Sequence, residues 1–135
     1  MKIPQKLPVG AMPRAGHNLR TSIKNGLAAI MRRIPQDKLC ECKYAVDWMI
    51  KNWPAKQVAK IYSYTGGFFE DKNLSDQIIY HNVAVVKTPE AYFIADPTYR
   101  QFDSSKSSLI LETLPKEEEL LRVLSKLYGG KWWNL

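Results

Sequence analysis

Residues 77–96 (QIIYHNVAVVKTPEAYFIAD) contain two apolar runs separated by Thr88-Pro89-Glu90. The runs are rich in β-branched and aromatic residues, and the Thr-Pro-Glu segment is typical of a turn. The pattern therefore predicts two antiparallel strands, at 77–87 and 91–96, that form a hairpin. Because the first run is almost continuously apolar, we expect it to be a central strand of a sheet.

His81 interrupts the first of these runs. A polar ring on a half-buried strand needs a hydrogen-bond partner. With the turn centred on residues 88–90, His81 is expected to lie opposite Asp96 or Pro97. A carboxylate facing a histidine can bind one ring nitrogen, fix the tautomer and stabilise the imidazolium. The alternative is a structural His–Asp pair that does no catalytic work.

Two helices are predicted before the hairpin. The first covers 18–34, where apolar residues recur at helical spacing, Asn18 can cap the start and Pro35 stops the end. The second begins at Cys42 and is ended by Pro54. Its apolar stripe, which is expected to face the sheet, consists of Cys42, Ala45, Val46, Met49, Ile50 and Trp53.

The remaining elements complete an α+β pattern. A strand at 57–64, closed by Gly66-Gly67, a polar loop near 70–76, a strand at 108–114 and a last helix from Pro115 to just before Gly129 are predicted. The Trp132-Trp133 pair either closes the core or forms an exposed apolar patch. We expect an α+β fold with N-terminal helices packed on an antiparallel sheet of three or four strands, followed by a C-terminal helix.

Length and composition exclude several classes of protein. The chain has 135 residues, of which 45% are hydrophobic and 24% charged, which is typical of one folded domain. No apolar run approaches the roughly 18 residues of a membrane span, and the proline-broken start does not resemble a secretory signal peptide. Two cysteines are too few for a disulfide framework or a zinc ribbon. We expect a basic, Pro-rich arm at 1–17 and a single domain at 18–135, synthesised in the cytoplasm.

The positive charge is concentrated in the N-terminal segment. Residues 1–38 contain eight basic residues and one acidic residue, which accounts for the whole net charge of +7. Such a segment can be a solvated surface, or it can bind an acidic protein or a nucleic acid. No aromatic residue precedes Tyr44, so base stacking is not indicated and a nucleic-acid partner is disfavoured.

Cys42 is the candidate nucleophile. It lies at a helix start, where the helix dipole favours a thiolate, and it begins the stripe that faces the sheet. Cys40 points to another side of the helix and is the second choice. Gln36 lies six residues before Cys42, where its side-chain amide could hydrogen-bond an oxyanion together with the backbone N–H of Cys42. The alternatives are a cysteine that only fills the core and an exposed loop glutamine.

Three segments resemble the papain-like fold, in which a helix-initial cysteine precedes a histidine and then an Asn or Asp on the strands. They are Cys42-Lys-Tyr-Ala-Val46, His81-Asn-Val-Ala-Val85 and Phe93-Ile-Ala-Asp96-Pro-Thr-Tyr-Arg-Gln-Phe102. The closest resemblance is to the papain-fold toxin domains of bacterial polymorphic toxin systems and to related protein-glutamine deamidases. It covers roughly residues 36–102, and it includes an oxyanion glutamine six positions before the nucleophile.

The resemblance implies a thiol-dependent hydrolase that acts on an amide bond, as a peptidase or a protein-glutamine deamidase. Cys42, His81 and Asp96 would be its catalytic residues, Gln36 its oxyanion donor, and no metal or organic cofactor would be needed. A protein or peptide would be the substrate. If the domain is a toxin delivered into a target cell, an acidic immunity or inhibitor protein would suit its basic segment. The alternative is a non-catalytic basic module that binds an acidic protein or a nucleic acid.

Overall fold

The computed structural model describes residues 15–56, 58–69 and 78–135. It shows an α+β fold, as predicted. The described part contains three α-helices: α1 at Ala15–Arg32, α2 at Cys42–Asn52 and α3 at Glu117–Tyr128. Its strands are β1 at Lys60–Phe69, β2 at Ile78–Lys87, β3 at Tyr92–Asp96, β4 at Leu109–Thr113 and β5 at Lys131–Asn134. Short 3-10 turns lie at Gln36–Lys38 and Tyr99–Gln101.

The strands form one antiparallel sheet in the order β4-β3-β2-β1-β5. Strand β2 is its central strand, which agrees with the continuously apolar sequence. The predicted hairpin is formed by β2 and β3. The described sheet has five strands rather than the expected three or four, because the tail that contains both C-terminal tryptophans pairs with β1 as β5.

Helices cover both faces of the sheet. Helices α1 and α2 pack on one face around alternate residues of β2 and β3, such as Ala84, Val86 and Phe93. Helix α3 packs on the other face against Val83 and Val85. Most of the predicted stripe of α2 is buried: Ala45, Val46, Met49 and Trp53 are at most 2% exposed, whereas Cys42 and Ile50 are half-buried. Each large apolar side chain buried in this way contributes about 1.5–3 kcal/mol.

Several predicted boundaries were wrong by a few residues. Helix α1 begins at Ala15, so Asn18 lies inside the helix rather than at its cap, and positions 15–17 of the predicted arm are helical. It ends at Arg32, before Ile34. Helix α3 begins at Glu117, two residues after Pro115. Positions 1–14 and 70–77, which include most of the arm and the predicted polar loop, lie outside the described residues.

The prediction that Gly66-Gly67 closes the first strand was wrong, because β1 continues through both glycines to Phe69. Gly66 pairs with His81 on one side and with Trp132 on the other. A Cβ atom at Gly66 would overlap the indole ring of Trp132. The glycine therefore allows the indole to cover the strand, which is a packing role rather than a turn.

Of the two tryptophans of β5, one closes the core and the other is exposed, so both alternatives predicted from the sequence occur. Trp132 is 5% exposed and belongs to the core under α3, whereas Trp133 is 42% exposed. Alternation along the strand explains the difference, because neighbouring side chains point to opposite faces. Among the described helices, none is long and apolar enough to span a membrane.

Candidate active site

His81 and Asp96 form a buried pair on the face of the sheet covered by α3. His81 Nε2 lies 2.7 Å from Asp96 Oδ2, and both side chains are at most 1% exposed. The predicted register was wrong. Ala84 pairs with Ala95, and one further step places Asp96 opposite Val83, so His81 and Asp96 are diagonal rather than opposite. Both still lie on the same face, where a diagonal pair is within reach of long side chains.

Four donors surround the Asp96 carboxylate. Oδ2 accepts hydrogen bonds from His81 and from the Tyr128 hydroxyl at 2.6 Å. Oδ1 accepts the Thr98 backbone N–H at 2.9 Å and the Thr98 hydroxyl at 3.3 Å. This set of donors offsets the large cost of burying a charge and fixes the plane of the carboxylate.

The surroundings of His81 favour the protonated imidazole. Burial by itself would lower the pKa of His81, but the hydrogen bond to Asp96, the interaction with Cys42 and the charges of both raise it to about 9. Because Nε2 is bound to Asp96, Nδ1 is the ring nitrogen that remains available for a second partner. His81 is therefore suited to exist as an imidazolium beside Cys42 at neutral pH.

Cys42 is the first residue of α2, where backbone N–H groups are not bonded within the helix. Burial raises the pKa of its thiol, but the hydrogen bond and the charge of His81 outweigh that effect, and the backbone N–H of Asn82 adds to the lowering. The net pKa of Cys42 is below its usual value. The helix dipole acts in the same direction.

Asn82 and Thr65 were missed by the sequence reasoning. The Cys42 thiol donates to Asn82 Oδ1 at 3.6 Å, and the Asn82 amide hydrogen-bonds the Thr65 hydroxyl across the β1–β2 pair. The Asn82 amide can rotate by 180° once the Cys42 thiol is ionised. Its oxygen then accepts a hydrogen bond from the Thr65 hydroxyl, which can donate as well as accept, and its N–H donates to the sulfur. An asparagine next to His81 in an otherwise apolar run was the available signal.

An aromatic wall encloses the His81 ring. Its members are Phe102, Tyr128 and Trp132, with ring centroids 4.8, 5.0 and 6.2 Å from that of His81. Phe102 is 40% exposed, whereas Tyr128 is 8% exposed. The wall excludes water from one side of the His81–Asp96 pair, which strengthens the electrostatic interactions there. Burial, followed by the charge of Asp96, raises the pKa of Tyr128, so its hydroxyl remains a donor.

The two cysteines lie in different environments. Cys40 is exposed and its thiol donates to the backbone oxygen of Asp37 at 3.0 Å, whereas Cys42 is half-buried, donates to Asn82 Oδ1, and has its pKa lowered by His81. Gln36 begins the 3-10 turn before α2, and its side chain is exposed. Among the hydrogen bonds of the described residues, none joins Gln36 to Cys42 or His81. Its role as an oxyanion donor remains a prediction.

Part of the basic N-terminal segment is neutralised within the fold. Arg20 and Lys24 of α1 contact the two carboxylate oxygens of Glu112 at 2.8 and 3.0 Å. These contacts tie α1 to β4, so two of the cations that motivated a binding role have a structural partner. Within the described ranges, no group of three or more His, Cys, Asp or Glu side chains is arranged to hold a metal ion.

Comparisons of the chain with protein-family models, with curated protein sequences and with solved structures give no significant match.

Proposed function

We propose that this protein is a thiol-dependent hydrolase that acts on an amide bond. Cys42 is its nucleophile, His81 its general base and acid, and Asp96 the residue that orients His81. The observation that carries the proposal is the buried 2.7 Å His81–Asp96 contact, together with the Cys42 thiol at the start of α2, which contacts the neighbouring Asn82 and whose pKa His81 lowers. A core cysteine needs none of these features.

The chemistry follows from these positions. The Cys42 thiolate attacks the amide carbonyl carbon, and the carbonyl electrons move to the oxygen as a tetrahedral intermediate forms. His81 then gives its proton to the leaving amine or ammonia, and a thioester remains on Cys42. A water molecule, deprotonated by His81, hydrolyses the thioester and releases the carboxylic acid. The backbone N–H of Cys42 is the oxyanion donor that α2 supplies, and Gln36 is the proposed second donor.

Two kinds of amide fit the proposal, a peptide bond and the side chain of a protein glutamine. The resemblance to papain-fold toxin domains supports the further proposal that this domain acts as a bacterial toxin effector in the cytoplasm of a target cell. An acidic immunity or inhibitor protein would be its partner, because the chain carries a net charge of +7.

The decisive experiment is the pH dependence of iodoacetamide alkylation, resolved by site. Cys40 and Cys42 share the tryptic peptide Leu39–Lys43, so fragmentation mass spectrometry is needed to separate them. We expect fast labelling of Cys42 well below pH 8 and slow labelling of Cys40. The fast phase should disappear in His81→Ala and persist in Cys40→Ser, which is the matched control.

Slow labelling of both cysteines, with the pH profile of an ordinary thiol, would contradict the enzyme proposal and favour a non-catalytic basic interaction module. Fast labelling of Cys40 instead would move the nucleophile to that residue. Once a substrate amide is found, Cys42→Ser should abolish hydrolysis and leave the fold intact. Retained hydrolysis in that variant would exclude Cys42 as the nucleophile.

A further inference from the structure

A surface pocket, which we call the arginine pocket, lies near the start of α2 and the end of β3. Its volume is about 270 Å³, and it is bounded by the end of α1, by Leu39 and by the segment between β3 and β4. Its polar lining residues are Arg32, Arg100, Ser107 and Ser108, and both arginines are exposed. Met31 and Leu39 are among its apolar lining residues.

The charge of this pocket is not neutralised by the protein. Within the described ranges neither Arg32 nor Arg100 forms an ion pair, whereas Arg20 contacts Glu112 and Arg122 contacts Glu119. No acidic side chain lines the pocket. Asp103, the acidic residue of the β3–β4 segment, accepts hydrogen bonds from the Ser105 N–H and hydroxyl instead. Two arginines without an ion pair, in one pocket with two serines, supply the residue types that bind an oxyanion ligand.

Two residues that line the arginine pocket are close in sequence to proposed catalytic residues. Pro97, which lines the pocket, directly follows Asp96, and Leu39 is three residues before Cys42. Both connections are short, so the pocket and the thiol belong to the same end of the sheet. An extended peptide whose amide lies at Cys42 could therefore place a nearby side chain in the pocket.

We propose that the arginine pocket binds an anionic side chain of the substrate, a carboxylate or a phosphate, close to the amide that Cys42 attacks. This inference rests on the proposed function and adds a substrate class to it: peptides or proteins with an acidic group near the reactive amide. The guanidinium groups of Arg32 and Arg100 bind the anion, and the hydroxyls of Ser107 and Ser108 complete its hydrogen bonds.

The test uses iodoacetyl peptides as affinity labels for Cys42 in the full-length protein. Three matched series carry Glu, Gln or phosphoserine at one of the first four positions after the iodoacetyl group. The second-order alkylation rate of Cys42 is measured for each peptide. We compare the wild type, Arg32→Gln/Arg100→Gln, and the control Arg20→Gln/Arg122→Gln, which removes the same charge from arginines that have carboxylate partners.

We expect one spacing at which an anionic peptide reacts about 3- to 10-fold faster than its Gln counterpart, the advantage that two partly exposed ion pairs provide. The advantage should be lost in Arg32→Gln/Arg100→Gln, retained in the control, and reduced in 1 M salt, where the screening length is about 3 Å. A preference for the Glu series identifies a carboxylate as the ligand, and a preference for the phosphoserine series alone identifies a phosphate.

Two results would overturn the inference and leave the proposed function standing. One is fast alkylation of Cys42 by iodoacetamide with equal rates for anionic and neutral peptides at every spacing. The other is an anion preference that survives Arg32→Gln/Arg100→Gln. Slow alkylation by iodoacetamide itself would instead contradict the proposed function, so the two failures are distinguishable. Unchanged iodoacetamide rates in both double variants show that their thiol site is intact.

Discussion

Replacing Cys42 by Ser should make the stability of the protein fall more steeply with rising pH than it does in the wild type. In the wild type two contributions oppose each other. The raised pKa of His81 makes stability fall as the pH rises, whereas the lowered pKa of Cys42 makes stability increase as the pH rises. In Cys42→Ser only the contribution of His81, held beside Asp96, remains.

The sign and size follow from the pKa of His81, which is raised from 6.5 to about 9 in the intact site. A raised native pKa gives stabilisation that is complete below the unfolded pKa and is lost as the pH rises through the native pKa. In Cys42→Ser the contribution of the thiol to that pKa is absent and the contribution of Asp96 remains. We therefore expect a loss of about 1–3 kcal/mol between pH 6.5 and 9, since each pKa unit corresponds to about 1.4 kcal/mol.

Urea unfolding of the wild type, Cys42→Ser and Cys40→Ser at pH 6.5, 7.5 and 8.5, at constant ionic strength, measures this difference. Other titrating groups cancel when each variant is compared with the wild type at the same pH. Cys40→Ser should run parallel to the wild type, and adding Asp96→Asn to Cys42→Ser should remove the slope. A constant difference between Cys42→Ser and the wild type would refute the argument that Asp96 holds His81 as an imidazolium.

Three further predictions test the neighbouring contacts. Tyr128→Phe removes one of the four donors to Asp96, so the free energy of unfolding should fall by about 1.5–3 kcal/mol. The control is Tyr44→Phe, at an exposed position. Equal urea midpoints for Tyr128→Phe and the wild type would argue against the contact. Gly66→Ala should destabilise by about 1–3 kcal/mol because its methyl group meets Trp132. That cost should shrink in a Trp132→Leu background, and a stabilising Gly66→Ala would show that the indole is placed elsewhere. Asp96→Ala should slow iodoacetamide labelling of Cys42 near pH 7 less than His81→Ala does, because orientation is only part of the activation; the reverse order of rates would contradict these roles.

Periodic burial explains why the main elements could be predicted. The stripe from Cys42 to Trp53 and the apolar run of β2 each repeat with the spacing of one element, so local sequence identifies both the element and its buried face. The predicted ends of the elements were less accurate. Two consecutive glycines, Gly66 and Gly67, are typical of a strand end, yet β1 continues through both. Their actual role depends on Trp132, which lies 66 residues after Gly66 in the chain.

The candidate site shows the same division. The sequence singled out Cys42, His81 and Asp96 as candidates, because a helix start and a polar residue in an apolar strand are local features. It did not identify Tyr128, Thr98, Thr65 or Asn82 as their partners. Tyr128 contacts Asp96 from 32 residues away, and no spacing rule connects a C-terminal helix with the end of a strand. The register, too, was one or two residues from the expected one, because it depends on the packing of the strands and not on the turn alone.

The sequence by itself determined the α+β class, the faces of the helices, the central hairpin and the residue types of the candidate thiol site. These follow from hydrophobic periodicity and turn chemistry, which act over a few residues. The tertiary structure decided which side chains enclose Asp96, which cysteine has its pKa lowered by His81, how Trp132 covers Gly66, and that Arg32 and Arg100 line one pocket. Those contacts join distant parts of the chain, and their geometry is set only when the two faces of the sheet are packed.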